Sequence, residues 1–170
     1  MLYRLTVRNI KMFLRDKTSV FFSLLSMLII IGLYALFLGQ MNVNSVQSMV
    51  GEGVSGARFL VDSWIMAGIV IVNTITVTLG VFGIMVDDEV KKRLSGFLVA
   101  PIKRGRLVAG YLLSSWVVGF LMSVLSLAVA EIYIVASGGQ LLPMMAVLKA
   151  LGLIVISVFS GSSIVFFLLS

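Results

Sequence analysis

The sequence predicts an all-α integral membrane protein, with four transmembrane helices preceded by an interfacial amphipathic helix. Of its 170 residues, 60% are hydrophobic and only 12% are charged, whereas soluble domains are about 45–50% apolar and about 25% charged. The apolar residues lie in four long runs without a charge, and the basic residues cluster in alternate connecting segments. We therefore expect residues 1–170 to form a single transmembrane domain.

Each charge-free run is long enough to cross the hydrocarbon of a bilayer, which needs about 20 residues of helix. The first run follows a basic stretch, as in a secretory signal, but it is too long for one and has no small-residue cleavage site after it. We expect it to be a retained anchor. The four runs are Ser19–Gly39, Ser63–Val86, Leu107–Ala130 and Ala150–Ser170.

The distribution of Lys and Arg predicts the orientation. Five basic residues precede the first run and six lie in the segment 87–106, whereas segments 40–62 and 131–149 carry one each. Short cytoplasmic loops are enriched in Lys and Arg. The N-terminus and 87–106 are thus predicted to be cytoplasmic in a multi-pass protein of the cell membrane. The net charge of +6 is then explained by the basic residues of the cytoplasmic segments, and we expect no nucleic-acid partner.

The N-terminal segment 3–17 has the pattern of a basic amphipathic helix. Such a helix lies along the interface, with its cations near anionic lipid headgroups. The alternative is a charge cluster that only sets topology. The basic face comprises Arg4, Arg8, Lys11 and Arg15, and the apolar face comprises Tyr3, Val7, Ile10 and Leu14.

The segment 87–106 is the most informative one between spans. Three acidic residues precede three basic ones, which favours i,i+4 ion pairs on a helix that continues past the membrane. Gly96 permits a break and Pro101 ends simple continuation. Between them, Phe97 and Leu98 belong to an apolar patch flanked by cations, which either docks on a cytosolic partner or dips into the headgroups. The candidate functional residues of this segment are Glu89, Lys92, Arg93, Gly96, Phe97, Leu98, Pro101 and Arg104.

Small and weakly polar residues recur at helical spacing within two spans, as in closely packed membrane helices. They indicate either helix packing or a substrate path, and Asn73 is the sharpest path candidate because a buried amide needs a partner or a cavity. We interpret Glu131, at the outer edge of the third run, as a solvated boundary carboxylate rather than a proton-coupling residue. The second-span set is Asn73, Thr76, Gly80 and Gly83, and the third-span set is Ser115, Gly119, Ser123, Ser126 and Ala130.

The missing residue types exclude most familiar catalytic centres. With no Cys and no His, the chain has no disulfide, thiolate nucleophile, imidazole base or usual zinc site. It contains no Walker A motif, and the GxSG-like stretch 53–56 has no His to activate its Ser. We predict no catalytic, cofactor or metal site on this chain.

Three features together resemble the N-terminal two-thirds of an ABC-2 type permease, the membrane subunit of ATP-binding-cassette exporters. An amphipathic helix ending in LRDKTSVFF leads into the first span. Acidic and basic residues are followed by GFLVAPIKR and a third span that opens LVAGYL, similar to the family loop E…G…L…P-[IV]-x-R…G. The spans are also spaced as in the family, with one short external loop before the second.

The resemblance implies an exporter subunit that couples ATP hydrolysis on a separate chain to export of a drug-, antibiotic- or lipid-like substrate. Segment 87–106 would be the coupling helix that docks on the ATP-binding subunit, which holds ATP and Mg, and a second permease copy would complete the assembly. Such permeases have six spans, so the last two are expected on another polypeptide or a longer chain. The alternative is a membrane anchor that docks a cytosolic partner and transports nothing. An ion-coupled carrier or channel is disfavoured by the charge-free spans.

Overall fold

The chain is built from helices, as the computed structural model describes for residues 2–50, 56–91 and 104–169. This described part contains no strand. The helices are α1 (Leu2–Arg15), α2 (Lys17–Leu33), a π-helical turn (Tyr34–Leu38), α3 (Gly39–Val50), α4 (Ala57–Val90), α5 (Arg104–Ala136) and α6 (Met144–Leu169).

Among the residues that the structure describes, four helical stretches are long and apolar enough to cross a membrane. This confirms, for that part of the chain, the prediction of an all-helical protein with four candidate spans. The first three stretches each contain a whole charge-free run, and the fourth contains all but the last two residues of its run. The chain therefore has the architecture of a multi-pass membrane protein. The four stretches are Lys17–Met49, Ala57–Val90, Gly105–Ala136 and Met144–Leu168.

The helices extend beyond the predicted spans, and the largest difference lies in the segment predicted as the loop 40–62. The first spanning stretch has 33 residues, about 50 Å at 1.5 Å per residue, against about 30 Å of hydrocarbon. Its last part carries exposed polar side chains, and the Gln40 amide donates to Asn44 Oδ1 at 3.1 Å. Because the backbone N–H groups within a helix bond to carbonyl groups of the same helix, the helix does not have to end where the apolar run ends.

α4 is the central helix and packs against α1, α2, α3, α5 and α6. It runs antiparallel to α5, so Phe82 lies with Tyr111 near one end of the pair and Met66 lies with Ile134 near the other. α1 lies at the first end, which we call the basic end, and the connection 137–143 lies at the second, which we call the loop end. Between these ends the core contains Val77, Val81, Val118 and Met122, with Phe13 of α1 against them.

The turn between α5 and α6 depends on two glycines. Gly138 has φ = 86°, in the left-handed region that other residues adopt at a cost of about 1–2 kcal/mol. The Gly139 N–H donates to Ile134 O at 2.9 Å, and a Cβ on Gly139 would also lie 2.9 Å from that oxygen. The Pro143 carbonyl then accepts from the N–H groups of Ala146 and Val147 and starts α6.

Candidate functional site

A buried carboxylate joins three helices at the basic end. The Asp88 side chain on α4 is fully buried. Arg8 of α1 donates from Nη2 to Asp88 Oδ1 at 3.0 Å and lies 2.9 Å from Oδ2. The Tyr111 hydroxyl of α5 donates to Asp88 Oδ2 at 2.8 Å. The side chains of Arg8, Asp88 and Tyr111, which we call the basic-end clamp, therefore bind α1, α4 and α5 to one another.

Adjacent acidic residues in the last turns of α4 have different partners. Asp87 pairs with Lys91 four residues later, at 2.8 Å between Oδ2 and Nζ, which confirms the predicted acid-before-base pairing at this position. Asp88 faces inward, and its pairing with Arg8 spans 80 residues of sequence. Glu89 is exposed on the same turns. One carboxylate thus supports the helix locally while the next one holds the helices together.

α1 packs on the bundle through a strip of residues that the sequence analysis did not single out. Its buried residues are Leu5, Asn9 and Phe13, whereas Tyr3 and Leu14 of the predicted apolar face are exposed. Leu5 sits against α5 at Gly110, where a Cβ would come within 2.7 Å of Leu5 Cδ2. The helix is thus docked on protein by one strip and leaves other apolar side chains outside.

The four predicted basic residues of α1 line one open groove of about 400 Å³. Arg4, Lys11 and Arg15 are exposed, whereas Arg8 is bound into the clamp. The predicted basic face therefore has two roles in the structure: three cations point outward, and one holds α4.

Asp16 ends α1 and begins α2, so the predicted interfacial helix 3–17 stops two residues early. Its carboxylate accepts from the Ser19 hydroxyl at 2.6 Å, from the Ser19 N–H at 3.3 Å and from the Thr18 N–H at 3.2 Å. These bonds, chiefly those from Ser19, hold the pKa of the Asp16 carboxyl below its ordinary value of 3.8. The charged N-cap satisfies the free N–H groups at the start of the first span.

Most of the predicted coupling residues lie outside the described part of the chain. Of the eight, Glu89 lies on α4, and Arg104 is the first residue of α5. The two helices that flank the segment are 34 and 33 residues long and unbroken. Those outside the described part are Lys92, Arg93, Gly96, Phe97, Leu98 and Pro101.

Two buried hydrogen bonds join α4 and α5 near their middle. Asn73 Nδ2 donates to Ser126 Oγ at 2.7 Å, and the hydroxyls of Thr74 and Ser123 are 2.8 Å apart. All four side chains are buried. Asn73, the predicted path candidate, therefore uses one amide N–H in a contact between helices.

The predicted small-residue face of α5 is buried along its length, whereas that of α4 is not. A Cβ on Gly119 would lie 3.2 Å from Val158 of α6, so this glycine permits close approach of the two helices. On α4, Thr76, Gly80 and Gly83 lie on the exposed side, and the buried polar residues next to Asn73 are Thr74 and Thr78. The buried face of α5 includes Ser115, Gly119, Ser123, Ser126 and Ala130.

A second buried carboxylate lies at the loop end. The Tyr34 hydroxyl, at the π-helical turn, donates to Asp62 Oδ1 at 2.8 Å, and Arg58 Nε lies 3.6 Å from Asp62 Oδ2. Sequence reasoning placed Asp62 in a loop and missed this contact, just as it missed Asp88 and Tyr111. The sequence did contain a signal for both contacts: a carboxylate lies close to each end of the second run, and the first and third runs each contain a tyrosine that could pair with one of them.

Comparison with protein-family models, with curated proteins and with solved structures found no match for this chain. The geometry described above and the residues of segment 87–106 are therefore the basis for a functional proposal.

Proposed function

We propose that the chain is the transmembrane subunit of an ABC-2 type exporter, which couples ATP hydrolysis on a separate nucleotide-binding subunit to export of a drug-, antibiotic- or lipid-like substrate. The observation that carries the proposal is the basic-end clamp. It binds α4 and α5 together next to segment 92–103, whose sequence resembles the family's coupling loop. ATP and Mg would be held by the partner subunit.

The proposed coupling begins at the apolar patch. Phe97 and Leu98 would dock on a nucleotide-binding subunit in the cytoplasm, together with the basic residues that flank them. Closure of two such subunits on ATP would displace this segment.

The displacement would pass along α4 and α5 as a unit. Both helices continue unbroken from the segment to the loop end, and an α-helix resists compression because each turn is hydrogen-bonded to the next. The basic-end clamp and the Asn73–Ser126 bond join the two helices at separate levels. Through Arg8, α1 would move with them.

The substrate path of the proposed exporter would lie between copies of the chain. The centre of the described bundle is filled by packed side chains such as Val77, Val118 and Met122. A second permease copy, and the last two spans of the family, would supply the other wall. The proposal places both basic segments in the cytoplasm of a cell-membrane protein.

The same filled interior favours a second candidate function, a membrane anchor that docks a cytosolic partner without transport. The two functions differ in their effect on the partner. A permease subunit alters the ATPase rate of the nucleotide-binding subunit, and loss of the clamp by Asp88→Asn abolishes that effect. An anchor binds the ATPase and leaves the ATPase rate unchanged, both as the wild type and as Asp88→Asn.

Docking is tested by co-purification of the chain with an ABC-type ATPase. We expect Phe97→Asp/Leu98→Asp to remove the ATPase from the purified complex, because two carboxylates would have to enter an apolar contact. The matched control is Leu141→Asp/Met144→Asp, which alters two exposed apolar residues at the loop end and should leave association intact. Equal recovery of the ATPase with both double variants contradicts the docking role.

A further inference from the structure

The outward side of α1 carries three cations whose charge the described part of the protein leaves unbalanced. Arg4, Lys11 and Arg15 are exposed, and none of them forms an ion pair with another described residue. Together with Arg8 they line the open groove of about 400 Å³. The groove has no acidic side chain among its described lining residues, so its complementary occupant is an anion.

The same cations act on the basic-end clamp. At about 100° per residue, positions 4, 8, 11 and 15 share one face of the helix. Neighbours on this face are three or four residues apart, and like charges at that spacing destabilise a helix. Arg8 therefore binds Asp88 while Arg4 and Lys11 repel it from either side. An anion in the groove would offset this repulsion.

The position of α1 indicates the source of the anion. α1 ends at Arg15, and the first stretch that can cross a membrane begins at Lys17. Tyr3 and Leu14 are 78% and 48% exposed and, about three turns apart, lie on one side of α1. Exposed apolar side chains beside cations are typical of a helix at the level of the lipid headgroups. A phospholipid supplies both an anionic phosphate and apolar surroundings for these two side chains, whereas a soluble anion would leave them in water.

Arg8 lines the groove and also binds Asp88, so the phosphate and Asp88 compete for it. The side chain of Asp88 is fully buried, and that of Arg8 is 30% exposed. Removing the partner of a buried charge costs more free energy than a surface cation gains from a headgroup. Arg8 therefore stays on Asp88, and the phosphate is bound by the three exposed cations.

We propose that the groove of α1 binds the phosphate group of an anionic phospholipid in the adjacent leaflet, held by Arg4, Lys11 and Arg15, and that the bound phosphate stabilises the basic-end clamp. Because the clamp attaches α1 to α4 and α5, the lipid strengthens the docking of α1 on the bundle. The site is independent of the proposed ATPase coupling, since an anchor could carry it equally well. Its ligand class is a phospholipid with a net negative charge, such as phosphatidylglycerol.

The test uses the chain in nanodiscs of phosphatidylcholine with a minority of phosphatidylglycerol, and no ATPase is present. Native mass spectrometry of the released chain gives the ratio of retained phosphatidylglycerol to phosphatidylcholine, which is corrected for the lipid composition. Each cation near an anionic headgroup contributes about fivefold in affinity, so we expect the three cations to give the wild type a preference of about a hundredfold. Lys11→Gln/Arg15→Gln should reduce this preference to about fivefold.

The matched control is Lys17→Gln/Arg106→Gln. It removes the same number of charges from exposed positions at the basic end that do not line the groove, and it should keep the preference within a few-fold of the wild type. Phosphatidylglycerol should also raise the Tm of the wild type, because a ligand stabilises the form that binds it, and leave the Tm of Lys11→Gln/Arg15→Gln nearly unchanged. Equal retention of the two lipids by the wild type, equal losses in the two double variants, or equal shifts in Tm would each overturn the proposal.

Inorganic phosphate distinguishes a lipid from a soluble anion as the occupant of the groove. Sodium phosphate and sodium chloride, added to the discs at equal ionic strength, should leave the same amount of phosphatidylglycerol on the wild type, since the lipid is also held by its acyl chains. Selective loss of phosphatidylglycerol in sodium phosphate would assign the groove to a soluble anion and overturn the proposal.

Discussion

Substitution of Asp88 by Asn isolates the charge of the basic-end clamp, because the two side chains have nearly the same shape. Removing one partner of a buried ion pair costs about 3–5 kcal/mol. The Arg8 side chain is 30% exposed and can be rehydrated in part, which reduces this to about 2 kcal/mol. The hydrogen bond from Tyr111 loses its charged acceptor, and the difference between a charged and a neutral acceptor adds about 1 kcal/mol. We therefore expect a loss of about 3 kcal/mol.

The assay is thermal unfolding in detergent, followed by size-exclusion chromatography of the heated samples. A change of 1 kcal/mol shifts Tm by about 2–4 °C in a chain of this size, so Asp88→Asn should lower Tm by about 6–12 °C. The matched control is Asp87→Asn, whose carboxylate is 45% exposed and pairs with Lys91 on the surface; exposed pairs contribute about 0–1 kcal/mol. Equal shifts in Tm for the two variants would refute the clamp.

Two further predictions concern other contacts of the first three spans. Asn73→Ala removes the hydrogen bond to Ser126. It should lower the free energy of unfolding by about 0.6–2 kcal/mol, the range measured for hydrogen bonds between membrane helices. The control is Asn44→Ala at an exposed position of α3, which should leave Tm nearly unchanged. Asp16→Ala should lower Tm at neutral pH, because the ionised carboxylate caps α2. Since the folded-state pKa of Asp16 lies below 3.8, the capping contribution is fully present above that value and disappears as the pH falls through the lowered pKa. The difference in Tm between wild type and Asp16→Ala should therefore close in acid, and a difference that persists at the lowest pH contradicts the charged cap.

The spans were predictable because their signal is strong and local. A charge-free run such as Ser63–Val86 can satisfy its backbone in lipid only as a helix, whatever its neighbours are. The ends were less predictable. Residues 40–50 mix polar and apolar side chains and are predicted as part of a loop, yet they continue the helix. Hydropathy indicates where an apolar run ends and carries no information on where the helical hydrogen bonds end.

The contacts between helices were harder to predict for a different reason. Asp87 and Asp88 are adjacent and look alike in sequence, and only the antiparallel pairing of α4 with α5 turns one of them toward Tyr111. Similarly, weakly polar residues occur on several sides of α4, so helical spacing grouped Asn73 with the exposed Thr76 rather than with the buried Thr74. On α5 the small and weakly polar residues follow one helical face more regularly, so the spacing predicted that face correctly, and its predicted members are all buried.

Single-cysteine labelling tests the central claim, that this chain crosses a membrane four times with both basic segments on the same side. Because the chain has no native cysteine, each introduced cysteine gives an unambiguous signal with a membrane-impermeant maleimide. In intact cells we predict labelling of Gln47→Cys and Gln140→Cys, and labelling of Lys11→Cys and Glu89→Cys only after permeabilisation. Labelling of both Lys11→Cys and Gln47→Cys in intact cells, labelling of both only after permeabilisation, or a chain that stays dispersed in buffer without detergent would contradict the account.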